Sequence, residues 1–333
     1  MKKVHKRKKK RLKLKTEVKR FLVYFIFLVG LGIYTVKESI AIYNDFQYQK
    51  TYEYKLIQLG YTKKESNILT SKLKDKQLDK ILTEEEPNQH YTNILTQRYY
   101  LDKNFETYIE YKTYHESTSY KDVISIVNVH ANKGWYNETY KTNIKDNFLM
   151  LVNKFYALDK DFKRDDLQSV NLAYAYASNS VASIVIENFE QMRAEVQNQL
   201  GVRLMVNSSY RSYEDQLAIY NDFKNISLKY ADSYAARPGH SEHQTGLAID
   251  ITSLEHPYIN NTENSFDKSA EYEWLKNNCH NYGFILRYPK GKEHITGYNT
   301  ESWHFRYVGV EAATKMFKED LTLDEYYAYY IAK

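Results

Sequence analysis

Three textures of apolar and polar positions follow one another along the chain. The first is a run without a charge, Phe21 to Val36, closed by Lys37 and Glu38. It falls just short of the ~17–25 residues of a membrane-spanning helix, and Arg20 and Lys37 can reach to the interfaces and extend it. The second texture, residues 38–121, is polar and tyrosine-rich, with Leu56, Ile57, Leu59, Ile68, Leu69, Leu73, Leu78, Ile81 and Leu82 at near-helical spacing. It predicts a small helical module that serves as a stalk or spacer. Gly60 ends one helix, Ser66 starts another, and Glu84-Glu-Glu-Pro87 breaks the second.

The third texture occupies residues 122–333. Val123–Val129 and Phe148–Val152 are apolar runs of strand length, and residues 180–200 carry an amphipathic helical pattern up to Gly201. Leu204–Val206 reads as a buried strand, 213–224 as a helix and Gly246–Ile251 as a strand. Residues 269–281 then read as a helix closing near Gly283, and 303–308 as a strand. Helices and strands without regular βαβ alternation predict an α+β fold, a mainly antiparallel sheet flanked by helices.

Charge changes the picture only at the N-terminus. Of 47 Lys and Arg, 12 lie in residues 1–20 beside a single acid, Glu17; the rest of the chain has 35 basic against 41 acidic side chains. A basic tail at 1–20 followed by an apolar run predicts a transmembrane signal anchor at 21–37. The N-terminus is then cytoplasmic and everything after residue 37 lies outside a bacterial cell. A cleaved signal peptide competes, because Ser39-Ile-Ala41 is a small-residue site; the long basic region and the charges before that site favour the anchor. The adjoining apolar span argues against nucleic-acid binding. Cys279 is the only cysteine, so no intrachain disulfide forms and the exported domain depends on its core. It is assigned to packing rather than to chemistry.

The candidate chemistry sits in Ser241–Asp250 and Glu301–His304. A catalytic zinc keeps three protein ligands, imidazole nitrogens and a carboxylate oxygen, and leaves a fourth position open. His243, Asp250 and His304 supply such a set, with Glu301 spare as a base. Gly246, between His243 and Asp250, predicts a loop leading into a strand, so a loop end and a strand end converge on one ion. In the alternating segment 303–308, Trp303, Phe305 and Tyr307 face the core, and His304 and Arg306 face the other side. Glu301, three residues before His304, has to sit on a bend before the strand to reach the same face. His240-Ser-Glu-His243 is one residue short of H-x-x-E-H, which leaves His240 a bystander at the cleft rim. Ser241 lacks the G-x-S-x-G elbow of a serine hydrolase.

These segments resemble the VanY-type D-alanyl-D-alanine carboxypeptidase family of zinc metallopeptidases, whose motifs are S-x-H-x-x-G-x-A-x-D and E-x-W-H. Ser241, His243, Gly246, Ala248 and Asp250 match the first, and Glu301, Trp303 and His304 the second. Ser209-Tyr-Arg-Ser212, Ala236-Arg-Pro-Gly239, Tyr282–Pro289, Arg306-Tyr-Val-Gly309 and Leu149–Lys154 extend the likeness over about residues 122–333. Ser302 departs from it, standing where the family often has proline. The resemblance implies a zinc peptidase acting on peptidoglycan stem peptides, with Arg211 stabilising the oxyanion and Gln216 and Ser241 holding the substrate. Removal of a terminal D-alanine is the leading expectation. An L,D-carboxypeptidase or an endopeptidase would use the same site, and a non-catalytic zinc-containing wall-binding protein is the alternative of another class. The sequence leaves the oligomeric state open.

Overall fold

The structure, a computed structural model, describes residues 15–257 and 265–332. The basic tail expected at 1–20 therefore lies largely outside the described residues. Chain contacts divide the protein into two compact units, Met1–Thr96 and Gln97–Lys333. Residues 97–121, grouped above with the spacer, belong to the second unit.

In the first unit the apolar run forms part of one helix, Thr16–Gln49, 34 residues long, whose described side chains are all exposed. Among the described residues it is the one helix long and apolar enough to cross a membrane. Four short helices follow, and Leu56, Leu69, Leu78, Ile81, Ile94 and Leu95 form their buried core. Gly60 closes Tyr52–Leu59 in the left-handed conformation. The next helix starts earlier than expected. Thr62, not Ser66, caps Lys63–Lys72 through a reciprocal box with Glu65, while Ser66 is buried and donates to the Glu53 carbonyl.

The second unit is built on a four-stranded antiparallel sheet with spatial order Leu204–Ser208, Ala248–Ser253, Glu301–Tyr307, Phe284–Tyr288. One face carries Leu204, Val206, Ile249, Ile251, Phe284 and Phe305 into the main core. Against it pack Val185, Phe189, Met192 and Val196, which recur along one side of the helix Ser183–Leu200. Gly201 ends that helix at a φ of 71°. Period-two alternation leaves Asp250, His304 and Arg306 for the opposite face.

Two apolar runs of strand length are not strands. Residues 123–128 lie in the helix Tyr120–Asn128, started by Ser119, whose hydroxyl accepts the Asp122 N–H. Val123 to Asn128 are all buried, and the run of Val and Ile among them masks the helical spacing of the polar positions Lys121, Ser125 and Asn128. Residues 148–149 end the 3-10 helix Ile144–Leu149 and residues 150–152 pair with no strand: the Phe148 and Met150 carbonyls accept from Arg306, and the Leu151 carbonyl accepts from Thr142. One small ladder, Tyr140–Lys141 with Tyr156–Ala157, is parallel.

Gly246 joins the site turn to the central strand at a φ of 66°. A Cβ there would stand 2.7 Å from Leu167 Cδ2 and 3.5 Å from the Ala182 nitrogen. Gly246→Ala is expected to cost about 2 kcal/mol of stability through strain and crowding, measured by denaturant unfolding.

Candidate metal centre

Asp250 and His304 are register partners on the two central strands, so their side chains leave one face of the sheet side by side. His243 arrives from the short turn Glu242–Thr245, whose His243 carbonyl accepts the Arg211 N–H at 3.2 Å. Glu301 is the first residue of its strand, not a residue on a preceding bend. The ladder pairs Leu286 with Phe305 and then Tyr288 with Glu301, four residues against two, and this irregularity brings Glu301 round to the His304 face.

The donor atoms of His243, Asp250 and His304 lie within 4.8 Å of one another. His243 Nε2 is 3.5 Å from one Asp250 oxygen and His304 Nδ1 is 3.2 Å from the other. Ligands on a tetrahedral ion with bonds of ~2.1 Å stand about 3.4 Å apart, so the spacing suits three donors around one small cation. Asp250 Oδ1 is buried and makes no hydrogen bond, with His304 Nδ1 its near neighbour at 3.2 Å. The outer ring nitrogens are engaged: His243 Nδ1 meets the Ser209 carbonyl at 2.6 Å and His304 Nε2 meets Glu242 at 3.4 Å. Each ring can donate outward and present its lone pair inward, the arrangement a metal-binding histidine requires.

Electrostatics agree with that donor set. Burial pushes His304 down, but the neighbouring Asp250 and Glu242 carboxylates outweigh it and lift the imidazole to about 9. Burial opposes the Asp250 carboxylate as well, yet His243 and His304 hold it far below the usual range. The pocket thus concentrates negative charge that a proton or a metal ion can balance. Glu301 lies 3.6 Å from His304 Nδ1, and burial raises its carboxyl to about 7 against the pull of that histidine.

A cleft of about 210 Å³ gathers all seven residues singled out in the sequence: Arg211, Gln216, Ser241, His243, Asp250, Glu301 and His304. Tyr288, Tyr298 and Trp303 form walls. Ser212 caps the helix Tyr213–Lys224 and so places Gln216, whose amide is engaged at both ends: it accepts from Arg211 Nη1 and donates to the Ala236 carbonyl, both at 2.7 Å. Arg211 Nη2 donates to Ser208 at 3.0 Å. Gln216 therefore orients Arg211. His240 is not on the rim; it is buried, with Nδ1 at 2.7 Å from the Asn153 carbonyl.

Sequence reasoning passed over Glu242. Its fully buried carboxylate accepts from Arg287 Nε at 2.7 Å, lies 3.0 Å from Arg306 Nη1 and holds the outer nitrogen of His304. The available signal was the pair of arginines inside apolar strands, Arg287 and Arg306. Two buried guanidinium groups require carboxylate partners, and Glu242 and Asp324 are those partners.

A family model described as VanY: D-alanyl-D-alanine carboxypeptidase matches residues 178–310. The putative carboxypeptidase YodJ of Bacillus subtilis is 39% identical over 193 residues, covering 55% of this chain and 67% of that protein. The bifunctional D-Ala-D-Ala dipeptidase and D-Ala-D-Ala carboxypeptidase VanXYC of Enterococcus gallinarum is 33% identical over 184 residues, covering 55% of this chain and 95% of that protein. Among solved structures, that of the LdcB LD-carboxypeptidase aligns with a TM-score of 0.53 at 35% identity, covering 57% of this chain and 90% of that one.

Chelator competition tests the outer support of the site. Glu242→Gln removes the charge that holds His304 and balances two arginines, and is expected to weaken zinc binding roughly 10–100-fold. Glu301→Gln is expected to leave zinc affinity nearly unchanged, because Glu301 is not among the three donors.

Proposed function

Because this chain belongs to the VanY-type D-alanyl-D-alanine carboxypeptidase family of zinc-dependent hydrolases, we propose that it is a membrane-anchored enzyme that removes terminal D-alanine from peptidoglycan stem peptides. The observation that carries this reading is the cleft itself, in which three convergent metal donors stand beside a carboxylate that is not needed as a ligand.

His243, Asp250 and His304 hold the zinc, and the orphaned Asp250 oxygen together with the outward-bonded imidazoles supports that fit. When bound, zinc supplies Lewis acidity, which polarises the scissile carbonyl and makes water a stronger nucleophile. Glu301 takes a proton from the attacking water and returns it to the leaving amine. Arg211, aimed by Gln216 and Ser208, stabilises the oxyanion of the tetrahedral intermediate. Ser241, at the start of the site turn, hydrogen-bonds the substrate backbone or its terminal carboxylate. Gln216 acts on the substrate through Arg211, since its own amide is occupied.

The helix Thr16–Gln49 supports the proposed anchor, about 51 Å long at 1.5 Å per residue. Residues 1–20 then stay in the cytoplasm, 21–37 cross the membrane, 38–96 act as a helical spacer, and 97–333, the unit that includes the catalytic segment 122–333, lie outside the cell. L,D-carboxypeptidase action is the second reading, supported by the likeness to the LdcB LD-carboxypeptidase.

The test uses full-length protein in detergent with pentapeptide and tetrapeptide muropeptides, with and without chelator, and identifies the product by mass. Zinc-dependent release of D-alanine from the pentapeptide is expected, and Glu301→Gln should lower kcat by roughly 10²–10⁴-fold while keeping its zinc. Cleavage of the tetrapeptide alone would favour the second reading. No product from either substrate would refute both.

A further inference from the structure

A second cavity, of about 490 Å³, lies beside the catalytic cleft and is lined in part by Trp135, Tyr136, Lys154, Asp232, Gly297 and Asn299. Two lysines line it: Lys229 is exposed to solvent, and Lys154 is buried. Lys154 is 4% exposed, and its ammonium makes one hydrogen bond, to the Asp232 backbone carbonyl at 2.9 Å. The Asp232 carboxylate is already occupied: it accepts two bonds from Arg237, at 2.9 and 2.8 Å, and one from the Tyr220 hydroxyl at 2.7 Å. Lys154 makes no ion pair among the described residues. Three ring faces surround its Nζ, Tyr298 at 4.4 Å, Tyr136 at 5.5 Å and Trp135 at 5.9 Å.

Burying a cation without a carboxylate is costly, and cation–π contacts of about 0.5–2 kcal/mol each recover only part of that cost. Burial accordingly lowers the Lys154 ammonium to about 8, with Arg237 adding to the fall and the charges of Asp232 and Glu301 compensating in part. Two of its three N–H donors are left for another acceptor.

The walls are held firmly. Gly297, at a φ of 75°, lies flat against the Trp135 indole, where a Cβ would stand 2.8 Å from the ring. Tyr136 keeps a left-handed backbone at a φ of 62°, a conformation uncommon for a bulky residue and one found concentrated at functional sites. Its hydroxyl accepts the Arg237 N–H at 3.3 Å and lies 3.4 Å from the hydroxyl of Tyr298. Tyr298, whose ring stands 4.4 Å from Lys154 Nζ, lines the catalytic cleft, so this one ring links the lysine to that cleft.

We propose that this cavity is a second subsite of the enzyme, which receives a carboxylate carried by the peptide substrate away from the bond being cut. Lys154 is its counter-ion, and Trp135 and Tyr136 cover the aliphatic chain that bears the carboxylate. The subsite rests on the reading of the cleft as a peptidase site and adds a charge preference to it. A substrate whose internal carboxylate has been converted to a carboxamide loses the charge-assisted bond to Lys154 and binds more weakly.

The test uses two synthetic pentapeptides ending in D-alanyl-D-alanine, identical except that one internal glutamate α-carboxylate is free in the first and a carboxamide in the second. Binding to the zinc-loaded full chain bearing Glu301→Gln is measured by calorimetry, and D-alanine release is measured separately with the unsubstituted enzyme. The free carboxylate is expected to bind about tenfold more tightly. Adding Lys154→Met should bring the ratio of the two affinities close to one. Asn299→Asp, which adds a negative charge to the exposed lining, should weaken the carboxylate peptide more than the carboxamide. Equal affinities in the parent protein, or a ratio that survives Lys154→Met, would overturn the subsite. If Lys154→Met does not fold, an unchanged ratio in Asn299→Asp overturns it equally. A clear binding preference with no release of D-alanine from either peptide would count against the carboxypeptidase reading and leave the subsite standing.

Discussion

Backbone hydrogen bonding between Ala248–Ser253 and Glu301–Tyr307 places Asp250 opposite His304, and the rest of the site is arranged around that pairing. Side chains alternate along a strand, so a slip of one residue would turn both groups into the apolar core and bring Ile249 and Phe305 to the cleft. The core itself resists the slip. Ile249, Ile251, Phe305 and Tyr307 are buried against the helix Ser183–Leu200 and its neighbours, and they return to solvent if the register changes. Metal-donor geometry is thus fixed by hydrophobic burial on the far face of the same sheet.

The near face is held by charge. Arg287, Arg306, Glu242 and Asp324 are almost completely desolvated and joined at 2.6–3.0 Å. Such a group adds little net stability over apolar packing of the same volume, but losing one member leaves a buried charge uncompensated, at a cost of about 3–5 kcal/mol. The network therefore acts as a rigid frame. It fixes Glu242, and through Glu242 the His304 ring; through Asp324 it reaches the C-terminal helix Leu323–Tyr326, and Asn153 donates to the same aspartate at 2.7 Å. Asn153 also accepts from the Phe155 and Tyr156 nitrogens and so shapes the segment that carries Lys154. The proposed zinc ligands and the proposed carboxylate subsite share this support.

Much of the second unit was legible in the sequence because its elements are amphipathic. The helices at 183–200 and 213–224 and the strands at 248–253 and 301–307 each show one apolar and one polar side, and the strand at 204–208 shows as a short apolar run. Residues 120–128 read as strand because Val and Ile dominate positions 123–129, although Lys121, Ser125 and Asn128 mark one side of the helix at helical spacing. The stretch at 150–152 is apolar like a strand, but its neighbouring carbonyls are satisfied by Arg306, a long-range pairing that no local pattern announces. His243, Asp250, Glu301 and His304 follow from motif and spacing, and Arg211, Gln216 and Ser241 from the family resemblance; all seven line one cleft. What spacing could not give was the strand irregularity that turns Glu301 toward His304, the engagement of the Gln216 amide, or the role of Glu242. Each of these depends on contacts between residues distant along the chain.

The central claim is a zinc held by three protein donors with Glu301 beside it and outside its ligand shell. X-ray absorption spectroscopy of the zinc-loaded full-length protein tests this most directly, compared with the same protein carrying Glu301→Gln. The account predicts two imidazoles and a light-atom remainder at roughly 2.0–2.2 Å in both proteins, with superimposable spectra. A different number of imidazoles, or a coordination shell that changes when Glu301 becomes glutamine, would contradict it.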